Sequence, residues 1–397
     1  MDYLSRLNLE ERLMLMLCKG PASKIDVLSI QDMMKSRVDW DKLINISNNH
    51  GVIALVRYNL DKIGLINQIP EYHKDILYKS YLKNLRRNTL IFNLLDKVFD
   101  IAEAEKIKVY LLKGLALEST VYGNMGLRQM NDLDILVKKN DAIRLRKKLL
   151  SNGFSSQPII SPLHEKILPG YGKHLPEMYR DGFSVEIHFN LFDRNGERLT
   201  ELFFEKQWKY IFDQIPSTKY SVPHPLLMFI YLVRHLDWHE KTGHSQVRLY
   251  TDLFFLLSYY PKEILCEELW DISSEAGIEK ALNEKLFILK IFWNIELPVI
   301  YENHISSSVD EEKTINNFIM FLCSPRNNIP RQHKQNLLQP LKEIHSLKDK
   351  IYFIAGYLFP SLTFMKYRYK TSSALKAIFY YPVRWAKLLN LIIHGKL

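Results

Sequence analysis

The sequence predicts an α+β protein: a small mixed sheet in the middle of a chain of 397 residues, with helices before and after it. Three observations predict this. Residues 109–137, VYLLKGLALESTVYGNMGLRQMNDLDILV, run from a short apolar strand through a Lys-Gly turn into helical spacing, and end in a second strand. Residues 177–191 form a hairpin pattern around Asp181-Gly182, the pair that a type I′ turn favours. On both sides of this region apolar residues recur three and four apart, as on one face of a helix.

Taken in order, Leu4, Leu7, Leu13, Met14 and Leu17 predict the first helix, and residues 40–60 a second helical region broken near Gly51. Pro70 punctuates the chain before a long helix over 72–100, with Tyr78, Leu82, Leu85, Phe92, Leu95 and Phe99 as its apolar stripe. Residues 109–112 form a strand, 113–122 a helix and 132–137 a strand. Asn140 is the expected N-cap of a helix ending at Gly153. Residues 154–172, rich in Pro, Ser and Gly, are expected to be a loop. Helices follow at 225–238, 248–260 and 282–293, and 327–340 is expected to be a flexible connector. The expected division is 1–100 helical, 101–215 sheet core and 216–397 helical.

Hydrophobic residues make up 47% of the chain, enough for a sizeable core. The formal net charge of +10 suggests an anionic partner, and residues 351–397 contribute seven Lys or Arg with no Asp or Glu. That segment suits packing helices or a nucleic-acid or acidic-lipid surface; packing is the expectation. Cys18, Cys266 and Cys323 are widely spaced and odd in number, which excludes a disulfide framework and a cysteine metal motif. With no apolar run long enough to span a membrane and a charged opening, MDYLSRLNLEER, a cytoplasmic protein is expected.

Side chains alternate along a strand, so Asp132 and Asp134 point to one side while Leu133 and Ile135 enter a core. Two neighbouring carboxylates repel, so one must be protonated, paired with a cation or bound to metal. Arg128 can neutralise one, and a magnesium ion both. On the hairpin's second strand Glu186 and His188 share the polar face, opposite Val185 and Ile187. In HLDWHEKTGHSQVRLYTDL, His235 and His239 stand four apart, but Leu236 occupies the position where a zinc-protease motif carries Glu. Polar packing between helices is the expectation there.

The ordered set of Lys113-Gly114 turn, Arg128 and Asp132-Leu133-Asp134 resembles the polymerase-beta-like nucleotidyltransferase superfamily, and LLKGLAL with VYGNMGLRQMNDLDILV resembles its bacterial uncharacterised nucleotidyltransferase family. Similarity to abortive-infection nucleotidyltransferase toxins is more distant. WDKLINISNNHGVIALVRYNL and FPSLTFMKYRY extend the resemblance over most of the chain. The resemblance implies transfer of a nucleoside monophosphate from a nucleoside triphosphate to an acceptor, with Mg2+ or Mn2+ held by Asp132, Asp134 and Glu186 as the catalytic acids. It further implies nucleotide or acceptor contacts from Lys113, Gly114, Arg128, His188, His235, Arg248 and Asp252. Arg128 is placed either on the triphosphate or against Asp132 or Asp134. The turn departs from the superfamily, because Leu115 follows Gly114 where a Gly or Ser is usual. The acceptor class stays open among small molecule, protein and RNA. The alternatives are a nucleotide-binding protein without turnover and an RNA-directed, tRNA-modifying enzyme.

Overall fold

The computed structural model describes residues 3–19, 27–192, 196–209, 220–243, 245–323, 341, 344 and 346–393. The chain forms two compact units of interleaved segments. The first takes Met1–Asn93, Leu111–Asn131 and Glu201–Arg331, and the second Leu94–Tyr110, Asp132–Thr200 and Gln332–Leu397. A 34-residue helix, Glu71–Ala104, follows Pro70. Strand β1 (Tyr110–Leu111) is followed by the helix Lys113–Leu117, which widens into a π turn over Glu118–Tyr122.

The second unit holds a mixed sheet. Strand β2 (Asp132–Leu136) is followed by β3 (Ser155–Ser156), β4 (Met178–Arg180) and β5 (Phe183–His188). β2 pairs with β5 in parallel, while β4 is antiparallel to both β5 and β3. Positive φ angles of 53° at Asp181 and 85° at Gly182 make the tight β4–β5 turn. Alternation then sends Leu133, Ile135, Val185 and Ile187 into the core, where all four are buried. The helix Lys139–Ser151 packs near β5 with Ala142, Leu145 and Leu149 buried. It starts one residue before Asn140, and Lys138 at its cap position makes no side-chain cap bond, so the expected Asn140 cap is corrected. Gly153 does follow the helix with a φ of 85°.

Residues 154–172 are not the expected loop, since they contain β3 and the helix Pro162–Tyr171. The Ser161 side chain accepts the His164 backbone N–H, and Pro162 occupies the first turn, where its missing N–H costs nothing. The helix Leu347–Leu358 lies against this one. At Gly356 an added Cβ would stand 2.3 Å from Ser161 Oγ and 2.5 Å from His164 Nδ1, so the contact requires glycine. The helices Leu362–Arg368 and Ala374–Ile393 follow. Arg384 caps the Tyr357 ring at 4.6 Å and donates to the Tyr357 carbonyl, and Trp385 Nε1 donates to the Leu358 carbonyl at 2.7 Å.

The described residues of the first unit are mainly helical and include β6 (Gln207–Lys209) and β7 (Ser221–Pro223), which pair antiparallel. Asn8 and Glu11 form a capping box on Leu9–Leu17, and Gly51, with φ of 71°, separates Trp40–Asn49 from Ile53–Lys62. The helices Pro225–Lys241 and Val247–Tyr259 pack together. Glu279–Ile288 runs on as a π turn over Leu289–Trp293, whose Trp293 stacks on Tyr250 at 5.7 Å. The connector expected at 327–340 lies outside the described residues, as does His244. Among the described residues no helix is long and apolar enough to cross a membrane.

Candidate metal centre

The parallel register of β2 and β5 sets Asp132 opposite Ser184, Asp134 opposite Glu186 and Leu136 opposite His188. Every second residue faces the same way, so this register gathers acids and imidazole on one side of the sheet while the apolar residues between them are buried. His188 Nε2 lies 3.0 Å from Asp134 Oδ1 and 3.3 Å from Glu186 Oε2. One ligand atom from each of the three residues falls within 4.8 Å of the other two. Asp134 and His188 are buried, at 3% and 2% exposure, whereas Glu186 is half-buried, so the cluster has a closed floor and an accessible acid.

Two carboxylates at this spacing in a buried site need a positive charge between them. An imidazolium at His188 supplies one, and a divalent cation supplies it with the imidazole neutral. The donor set fits such a cation: two hard carboxylate oxygens and one imidazole nitrogen suit Mg2+ less than Mn2+, which accepts both kinds of donor. His188 Nδ1 is buried without a hydrogen-bond partner. His174 packs beside it with ring centroids 5.4 Å apart, and burial, reinforced by His188, lowers its pKa, which keeps that neighbouring ring neutral. Asp132 begins β2, half-buried, one alternation away from Asp134 and outside the three-residue cluster.

The other expected site residues lie in the first unit. Lys113 takes a φ of 45°, uncommon for a residue with a Cβ, as the chain swings into the helix. At Gly114 an added Cβ would meet Arg128 Nη1 at 2.2 Å, so the glycine makes room for the guanidinium. Arg128 donates from Nε to Asp252 Oδ1 at 2.8 Å and from Nη2 to Oδ2 at 2.7 Å, a two-armed pair with side chains only 5% and 0% exposed. Tyr122 donates its hydroxyl to Asp252 Oδ1 at 2.8 Å, and burial beside that carboxylate raises its pKa well above the usual value. Asn88 donates to the Met125 and Arg128 carbonyls, tying down the loop before β2. Burial pushes the Glu118 carboxyl up to about 8, against the pull of Arg128.

Asp252 is therefore engaged by Arg128 and Tyr122 within the first unit, a pairing that sequence spacing did not reveal. Arg248 donates to the Gln129 carbonyl and to Gln246 Oε1, which fixes the backbone just beyond Arg128. The His235 ring sits edge-on to His239 at 4.3 Å and stacks near Tyr231. The sequence grouped His188 with the nucleotide contacts; its ligand geometry with Asp134 and Glu186 needed the cross-strand register. Its signal was the E-x-H alternation on β5.

A search of curated proteins returned no match. The family model described as uncharacterised nucleotidyltransferase matches residues 36–294, well over half of the chain and inclusive of Asp132, Asp134, Glu186, His188, Arg128 and Asp252. The chain belongs to the uncharacterised nucleotidyltransferase family.

Proposed function

We propose that the protein transfers a nucleoside monophosphate from a nucleoside triphosphate to an acceptor with release of pyrophosphate, using a divalent metal. The observation that carries this reading is the convergence of Asp134, Glu186 and His188, with ligand atoms within 4.8 Å, in a chain of this family. Asp134 and His188 would hold the ion from the buried side and Glu186 from the accessible side, with Asp132 a further carboxylate on the same strand. A bound Mg2+ or Mn2+ supplies Lewis-acid neutralisation of phosphate oxygens and of the leaving pyrophosphate. Glu186, the more accessible carboxylate of the cluster, takes the proton of the attacking group.

Incubation with α-labelled nucleoside triphosphates, Mn2+ or Mg2+ and a cell extract tests the reading. A labelled small molecule, protein or RNA, formed by the parent chain and lost in Asp134→Asn, is the expected result, and it names the acceptor class. A second reading, nucleotide binding without turnover, is favoured by Leu115 standing where a hydroxyl-bearing turn residue is usual. Metal-dependent nucleotide binding with neither pyrophosphate release nor labelled product would select it.

A further inference from the structure

The inward residues of 347–387 are used in packing: Phe353, Met365, Ala377 and Arg384 are buried. Many of the outward residues are apolar as well. On the helix Leu347–Leu358, the positions Leu347, Ile351, Ile354 and Leu358 recur four, three and four apart, which makes one stripe, with Leu347 74% and Ile351 55% exposed. On Ala374–Ile393, Leu375, Ile378, Phe379 and Val383 form a second stripe, with Phe379 77% and Leu375 71% exposed. The Trp385–Leu358 and Tyr381–Pro360 hydrogen bonds tie the two helices together. Arg368, Lys370, Lys376 and Lys387 of the same segment are exposed, and no acidic residue occurs from 351 to 397.

Ordinary surface helices place charge where these place Leu, Ile and Phe, so the stripes mark a surface made to be covered. Charge selects the cover. A two-fold interface between copies of this chain would set this cationic segment against itself. Nucleic acid would be held by the cations and by stacking aromatics, leaving Leu347, Ile351, Ile354 and Leu375 without a partner. An anionic lipid surface satisfies both features, because aliphatic and aromatic side chains enter the headgroup boundary while Lys and Arg meet the lipid charge. We infer that the helices between residues 347 and 387 are a peripheral docking surface for acidic membranes.

Co-sedimentation of the full chain with vesicles tests this without reference to nucleotidyl transfer. The protein is expected to pellet with phosphatidylcholine vesicles containing phosphatidylglycerol, to stay in solution with phosphatidylcholine alone, and to be released by salt. Phe379→Ser and Lys376→Glu are both at exposed positions, so each is expected to keep the parent melting temperature while weakening vesicle binding, by about fivefold or more for the charge reversal. Absence of binding to the acidic vesicles would overturn the inference. So would equal binding to neutral vesicles, or equal binding by parent and variants. Retention of RNA, or a dimer broken by Phe379→Ser, with no vesicle binding in either case, would assign the surface to another partner.

Discussion

At the scale of single residues, the most consequential carboxylate outside the candidate metal centre is Asp252. It is fully buried and receives both arms of Arg128 and the Tyr122 hydroxyl. Asp252→Asn preserves its volume but removes the charge that receives both arms of the buried Arg128, so we predict a loss of about 3–5 kcal/mol in denaturant unfolding. Tyr122→Phe removes one hydrogen bond from an acceptor that keeps its cation, and should cost about 1 kcal/mol. Equal losses in the two variants would contradict the pairing. Gly114→Ala is predicted to cost about 1–3 kcal/mol, because the new Cβ must displace a guanidinium held at both ends. All of these residues except Tyr122 stood out in the sequence as site candidates. Their joining did not, since Arg128 and Asp252 are 124 positions apart and local periodicity carries no information about which distant carboxylate a buried arginine meets.

Among the elements, the contact between Pro162–Tyr171 and Leu347–Leu358 is the least legible in the sequence. Its first helix looks like a loop because Pro and Gly are frequent there, although Ser161-Pro162 is a sound N-cap and first turn. The β2 and β5 faces were legible because a two-residue alternation leaves only one way to bury Leu133, Ile135, Val185 and Ile187. Gly356→Ala should lower the melting temperature by forcing Ser161 and His164 aside, at about 1–3 kcal/mol. His164 gives the same contact a pH dependence. Burial, assisted by Arg384, lowers its pKa from 6.5 to about 4. Between those values the unfolded chain takes up a proton that the folded chain refuses, so this contribution is complete above 6.5 and is lost as the pH falls towards 4. His164→Phe, which keeps a ring against Phe353, is expected to flatten that part of the stability profile. An unchanged slope would show that His164 is not its source.

For the whole molecule, the interleaving of the two units explains what the sequence conceals. A segment such as Leu111–Asn131 belongs with helices beyond residue 200, while the strand that follows it belongs with the second unit. Hydrophobic period assigns each segment a type but not a neighbour. The acid–imidazole cluster was nevertheless partly legible, since Asp134 and Glu186 were marked by their strand alternation, and only the register brought His188 to them at 3.0 and 3.3 Å. The account rests on those three side chains acting together as a cation site. Titration of the full chain with Mn2+, followed by the loss of the free-ion electron paramagnetic resonance signal, measures this directly. The parent should bind the ion, and Asp134→Asn and His188→Phe should each weaken binding tenfold or more, on the order of the loss seen when one ligand or its support is removed. Binding of equal strength in the parent and both variants would contradict the account.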